Sequence, residues 1–376
     1  MDEHVEFEFG PTGLAAFFAA PSDRITAREP SAVPRALAAL DNALASGHWI
    51  AGYASYELGY ALEHRLAGLI PADRRLPLLD FGVFPDGPGP VEPHAPGGEL
   101  GTLRPRWSAE DYAAAFTRAM EYIRAGDIYQ VNLTLPLDGS WDGDPAAISA
   151  ALALRQPVGF GARVALGNTV LLSRSPELFF ALDGTGGIET RPMKGTAPRD
   201  ADARQDAELA AALGRDPKNR AENLMIVDLL RNDIGRIAEI GSVRVPTLFD
   251  VETYATVHQM VSRVVGRLGP AASLGRVFEA LFPCGSITGA PKVRAMEIIR
   301  ELEPWPREAY CGAIGWAAPD GRAAFNVAIR TLALFPDGAA VLNVGGGIVA
   351  DSTAACEYEE ALWKARFVTP LRTDSS

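Results

Sequence analysis

AAFNVAIRTLALFPDGAAVLNVGGGIV, residues 323–349, holds two apolar runs, 323–334 and 340–349, on either side of Pro336-Asp337-Gly338. A proline that fixes φ and a glycine free to take positive φ reverse the chain within a few residues. The two runs therefore predict adjacent antiparallel strands. The arrangement recurs: 162–182 reads as two strands broken near Gly167-Asn168, with a turn signal at Asp183-Gly184. Further strand-like runs lie at 128–137, 242–249, 256–265 and 311–317. Between them stand helical patterns. Ser108 with Asp111 makes a capping box, Tyr112, Phe116, Ala119 and Ile123 follow at helical spacing, and Gly126 closes the helix. Asp144-Pro145 and Asp216-Pro217 each supply an N-cap and a first-turn proline, the second helix running to about Leu230, and helices are expected at 291–302 and 353–367. Strands in turn-joined pairs with helices outside them predict an α+β fold of antiparallel sheets, not a parallel βαβ sheet.

The composition narrows the function. With 376 residues, 48% hydrophobic and 22% charged, the chain is ordinary globular material, which excludes a disordered or fibrous protein. The 35 basic and 47 acidic residues leave a net charge of −12, so a broad basic face for nucleic acid is missing. Cys284, Cys311 and Cys356 have neither a disulfide framework nor zinc-ligand spacing. The acidic start MDEHVE lacks the order of a signal peptide, and no uncharged stretch reaches the ~20 residues that span a bilayer. A cytoplasmic location with no membrane partner is the expectation. One break interrupts the chain, PDGPGPVEPHAPGG at 85–98. It separates residues 1–84 from a longer section that begins at Trp107, with 85–106 as the loop between them.

Misplaced polar groups mark the chemistry. Glu222 shares a helix face with Met225, Ile226 and Leu229, where a carboxylate is costly unless paired or metal-bound. Arg231 or Arg236 would serve as partners. Glu357 and Glu360 lie one turn apart on the last helix, leading into Trp363 and Phe367 on its apolar stripe. Three carboxylates on two helices suit a hard divalent ion such as Mg²⁺; alternatively, the last two simply favour a helix start. The loop Cys284-Gly285-Ser286-Ile287-Thr288-Gly289-Ala290-Pro291-Lys292 leads into a helix with a hydroxyl N-cap and free backbone N–H groups for an anion. Gly345-Gly346-Gly347 either admits a ligand to the backbone or marks a bulge. Lys194, between a proline turn and Gly195, is either a solvated loop lysine or a desolvated nucleophile. No G-x-S-x-G elbow occurs, and no G-x-C-x-G turn of glutamine hydrolysis.

Several segments together resemble the chorismate-utilising enzymes. They are SRSPELFF (173–180), ETRPMKGTAPR (189–199), AENLMIVDLLRNDIGRI (221–237), TVHQMVSRV (256–264), GSITGAPKVRAMEII (285–299), YCGAIGW (310–316), FNVAIRT (325–331) and GGGIVADS…EYEE (345–360). GYASYELG (52–59) is similar to the family's strand-to-helix segment near the N-terminus. The resemblance implies two stacked antiparallel sheets flanked by helices, a four-layer sandwich with residues 1–84 woven into the core and 107–370 as the catalytic region. Pro-x-Lys-Gly-Thr around Lys194 is similar to the branch that aminates chorismate to 4-amino-4-deoxychorismate; alanine at that position marks the anthranilate- and isochorismate-forming branches. On that likeness Lys194 is the nucleophile and Glu177 the acid. Glu222, Glu357 and Glu360 resemble the Mg²⁺ carboxylates, and Asn219 stands where a fourth acid is usual. Tyr310 and Arg330 resemble the grip on the enolpyruvyl carboxylate. Ser286, Thr288, Lys364 and the Gly345–Gly347 backbone resemble further substrate contacts, and His258 a histidine beside the ring. The implied partner is a separate glutamine amidotransferase that supplies ammonia. Anthranilate formation, or a chorismate-binding subunit without catalysis, are the alternatives.

Overall fold

The computed structural model describes residues 2–91, 97–254 and 257–372. The strand pairs assemble into two antiparallel sheets. The first runs Ala16–Ala19, His4–Phe7, Phe160–Leu166, Thr169–Ser175, Thr331–Leu334, Ala339–Ile348, Gln130–Gly143, Gly98–Leu100. The second runs Met193–Pro198, Val257–Arg267, Gly187–Thr190, Leu178–Asp183, Arg322–Val327, Ala313–Ala317, Trp49–Ala54, Leu79–Phe84, Asp23–Ala27. The Pro336-Asp337-Gly338 turn forms as expected, with Gly338 at φ 80° and Leu334 opposite Ala340. Val5, Val164 and Leu171 of the first sheet pack in one buried cluster with Tyr53, Ile314 and Trp316 of the second, so the sheets lie face to face. Helices pack outside: Pro217–Gly235 on the strand Val257–Arg267, and Ala354–Trp363 on Ala339–Ile348.

Strands from residues 1–84 sit inside both sheets. His4–Phe7 pairs with Phe160–Leu166, and Trp49–Ala54 with Ala313–Ala317. Within the 85–106 segment, residues 92–96 lie outside the described residues, as does Thr256 of the run 256–265; Gly98–Leu100 forms a strand.

The helix signals are realised in detail. Ser108 and Asp111 form the reciprocal capping box, and Gly126 closes that helix at φ 81°. Asp144 and Asp216 accept from Ala146 N–H and Asn219 N–H. The second of these helices continues past Leu230 to Gly235. The last helix stops at Trp363 and gives way to a 3₁₀ turn, Arg366–Val368. Trp363 is consequently 49% exposed instead of lying on the apolar stripe, whereas Phe367 is buried.

Two runs read as single strands are in fact divided between the sheets. Residues 169–182 leave the first sheet at Ser175, cross at Pro176-Glu177 and enter the second at Leu178. Residues 323–334 leave the second sheet at Val327, cross at Ala328–Arg330 and enter the first at Thr331. Apolar content does not distinguish a strand that continues from one that changes sheets, because both halves are buried.

Beneath these crossings lies a buried ion pair. Arg307 Nη2 donates to Glu303 Oε1 (2.7 Å), and both side chains are 1% exposed. Nε donates to Glu303 Oε2 (2.7 Å), Nη2 also donates to the carbonyl of Asn132 (2.6 Å) and Nη1 to that of Ile287 (3.1 Å), and the guanidinium stacks over the Tyr56 ring. Glu57 accepts from the N–H groups of Arg307 (2.7 Å) and Glu308 (3.0 Å). The GYASYELG segment thus clamps the back of the core. Glu303→Leu leaves the guanidinium buried without its carboxylate, so a loss of about 3–5 kcal/mol is expected. It would be read as a lower urea midpoint at unchanged slope.

Candidate active site

The two crossings lie side by side. Ser175 Oγ donates to Val327 O (2.6 Å), Val327 N–H to Glu177 O (3.0 Å) and Arg174 N–H to Arg330 O (2.9 Å). They open on a cavity of about 450 Å³ whose lining includes Glu177, Lys194, Glu222, Ser286, Tyr310, Arg330, Gly345–Gly347, Glu357, Glu360 and Lys364. Every site residue expected from the sequence is there except His258 and Thr288.

Glu177 is buried at the crossing. Burial raises its carboxyl to about 7, against the opposing pull of the Ser286 hydroxyl, which donates to Oε1 at 2.8 Å, and of Lys194. Lys194 is not in a loop. It sits on the strand Met193–Pro198, half-buried, and loss of hydration lowers its pKa while Glu222 and Glu177 oppose the change. One environment therefore pushes acid and amine in opposite directions, each toward its neutral form. Arg330 takes φ 50° to turn between the sheets, and among the described residues it has no salt bridge. Desolvation lowers its pKa too, against the opposing influence of Tyr310 and Glu177. A guanidinium in that condition is a ready anion site.

Glu222, Glu357 and Glu360 face the same cavity from two helices. Neither arginine suggested for Glu222 reaches it: Arg231 pairs with Asp228 (3.0 Å), and Arg236 contacts Ala280 O (3.5 Å). Burial raises both Glu222 and Glu357, and Glu360 adds repulsion to each. Glu357 accepts from Ser352 Oγ (2.6 Å), and Glu360 pairs with Lys364 Nζ (2.8 Å), which also donates to Gly345 O (2.9 Å). Among the described residues no three acidic, histidine or cysteine groups form a ready-made metal cage.

The triple glycine is no bulge. Gly345, Gly346 and Gly347 lie in regular register opposite Thr134, Leu133 and Asn132. A Cβ on Gly346 would stand 2.9 Å from Glu357 Oε2, and one on Gly347 3.4 Å from Lys194 Nζ and 2.8 Å from Gln130 Nε2. The missing side chains therefore make room for the carboxylates and the amine. Gln130 was not foreseen: it is fully buried there, its amide without a partner among the described residues. A glutamine inside an apolar strand was the available signal.

Thr288 and His258 are engaged elsewhere. The Thr288 hydroxyl is within 3.2 Å of the carbonyls of Cys284 and Gly285, closing its own turn. Pro291, not a hydroxyl, occupies the N-cap of the helix Lys292–Leu302. The His258 ring bonds Thr253 Oγ1 (2.9 Å) through Nδ1 and Asp206 Oδ1 (2.9 Å) through Nε2. It anchors the helix Ala203–Arg215 instead of facing the cavity. Cys356 is exposed.

A fold of two such sheets, meeting at an acid–amine pair beside an unpaired guanidinium, defines a class. The sequence pattern of chorismate binding enzymes matches residues 86–370, and the chain belongs to that family. Aminodeoxychorismate synthase component 1 of Klebsiella aerogenes is 43% identical over 339 residues, 83% of this chain and 74% of that protein. Anthranilate synthase component 1 of Thermus thermophilus is 41% identical over 304 residues, 81% of this chain and 63% of that protein. Among solved structures, anthranilate synthase component I from Streptococcus pneumoniae superposes with a TM-score of 0.78 at 26% identity, covering 97% of this chain and 90% of that one. The chain thus spans about three quarters of the Klebsiella protein's length and less than two thirds of the Thermus protein's.

The Ser286 hydroxyl stabilises the charged form of Glu177. Removing it in Ser286→Ala should move the carboxyl pKa above about 7. The limb of a pH–rate profile set by the protonated acid then shifts to higher pH, while an unmoved profile would mean that another group sets it.

Proposed function

We propose that the chain is an aminodeoxychorismate synthase component I, aminating chorismate at C4 with ammonia to give 4-amino-4-deoxychorismate. The observation that carries the reading is a desolvated amine, Lys194, in one cavity with a carboxyl, Glu177, whose pKa is pushed up to about 7. The names of the Klebsiella and Thermus relatives support the family of reactions, and Lys194 favours amination over anthranilate formation. In the proposed sequence Lys194 Nζ bonds to C2 of chorismate as the ring double bonds shift. The C4 hydroxyl leaves as water with the proton of Glu177, which hydroxide's poor leaving ability requires. Ammonia adds at C4, the double bonds return, the C2–N bond breaks and the lysine is released. The enolpyruvyl group stays in place throughout.

Arg330 and Tyr310 would hold the enolpyruvyl carboxylate, with Ser286, Lys364 and the Gly345–Gly347 backbone as further contacts. The donor set fits Mg²⁺ in its chemistry: three oxygen ligands whose burial and mutual repulsion a divalent cation relieves. Glu222, Glu357 and Glu360 would hold it, where it would neutralise the ring carboxylate of the substrate. Asn219 also lines the cavity and offers a neutral oxygen. Ammonia would come from a separate glutamine amidotransferase, in keeping with the "component 1" of the relatives' names. The product would serve para-aminobenzoate and folate formation. Among the described residues no helix is long and apolar enough to cross a membrane, and a cytoplasmic site is part of the proposed reading.

The test is product analysis with chorismate, Mg²⁺ and an ammonium salt, by chromatography and mass. A nitrogen-bearing product that retains the enolpyruvyl group is expected, whereas anthranilate with pyruvate would assign the rival reaction. No turnover even with an amidotransferase added would mean a binding subunit without catalysis. Lys194→Ala should lose amination by roughly two orders of magnitude or more, and an unchanged rate would remove the nucleophile. Glu177→Gln should cost about 10²–10⁴-fold, the range of a positioned general acid.

A further inference from the structure

The strand that carries Lys194 is irregular at that residue. Met193 faces Val261 and Thr196 faces Gln259, so three steps on one strand match two on the other. The extra residue makes a β-bulge of Lys194-Gly195, with Gly195 in the left-handed region at φ 86°. Such a bulge re-aims a side chain and removes local ladder bonds. This strand is also last in its sheet, and among the described residues Val257–Arg267 is its only neighbour in the order. Left to itself, an edge bulge of this kind would hold a four-carbon amine loosely.

One side chain replaces the missing ladder. Gln259 Nε2 donates to Gly195 O (2.9 Å), and Gln259 Oε1 accepts from Thr196 Oγ1 (3.1 Å). The amide thus closes across the bulge from the facing strand, using both its donor and its acceptor. On the other side Asn219 packs against Gly195, its Oδ1 2.8 Å from where a Cβ would stand. The bulge is clipped from two sides.

We propose that Gln259 is a positioning residue for Lys194: its amide closes the bulge so that the amine is aimed at the reacting carbon. The proposal rests on reading Lys194 as the nucleophile. It has a physical scale, because a displacement of about 1 Å costs an attacking group on the order of 10²-fold in rate. Gln259 also lines the cavity, so a direct substrate contact is the competing role, and plain strand stabilisation is another.

Gln259→Met keeps the length of the side chain and removes both hydrogen bonds. The expected result is a fall in kcat of roughly 10- to 100-fold with KM for chorismate unchanged within about twofold. Thr196→Val, which removes only one of the two bonds, should lose less. A rise in KM at constant kcat would assign Gln259 to substrate binding. A lower melting temperature with kcat intact would leave it a structural role only. Either result overturns the proposal. The decisive comparison is Gln259→Met in the Lys194→Ala background. If Gln259 acts through the lysine, the residual slow rate should not fall further, while a full multiplicative loss would show that it acts independently. Wild-type amination by Lys194→Ala alone would instead remove the parent reading, an outcome separate from any result at position 259.

Discussion

The structure depends on a seam where two chain crossings meet. Each sheet needs its ladders filled, yet two segments must leave one ladder and enter the other. Backbone left unpaired in transit would cost about 1–3 kcal/mol per buried group. The crossings avoid this by serving each other, with Val327 N–H on Glu177 O, Arg174 N–H on Arg330 O, and the Ser175 hydroxyl on Val327 O. Because the crossings are bonded in this way, Glu177 and Arg330 are delivered to one cavity by the backbone. Proline at 176 fits the arrangement, since a residue without an N–H leaves no donor to satisfy between ladders.

The same seam sets the electrostatics. Removing Glu177 and Lys194 from water penalises both charged forms, so the acid rises toward 7 as the amine falls. In bulk water the pair would be carboxylate and ammonium. Here burial shifts each toward its neutral form, the direction that the proposed roles of acid and nucleophile require. From two helices of the same cavity Glu222, Glu357 and Glu360 gather negative charge, and among the described residues only Glu360 has a salt-bridge partner, Lys364. Cationic groups and carboxylates interleaved around one cavity suit a dianionic substrate bridged to a hard cation, which is the proposed reading.

Behind the cavity, charge has a purely architectural part. Arg307 ties Asn132, Ile287 and Glu303 together, and Glu57 from the N-terminal section holds the Arg307 and Glu308 backbone. Asn132, Ile287 and neighbouring Tyr310 all line the site. The first 84 residues therefore support the site from behind as well as completing the sheets.

Local chemistry was legible in the chain. The Ser108 capping box, the Asp-Pro helix starts, Gly126 and the Pro336-Asp337-Gly338 reversal each act within a few residues, and each forms as its sequence dictates. Most of the candidate site was legible too, through motif resemblance and through carboxylates that had no business on apolar faces. What sequence could not decide was which sheet a buried strand joins. Both halves of 169–182 and of 323–334 are apolar, and only packing separates them. Nor could it decide partners far apart in the chain. Asp206 takes His258 from the cavity, Lys364 takes Glu360, and Gln259 closes over Gly195 because the sheet brings them together. Turns and caps are set by the residues that make them. Sheet membership and long-range pairing are set by which alternative buries apolar surface and satisfies every polar group at once, and that is decided only by the whole fold.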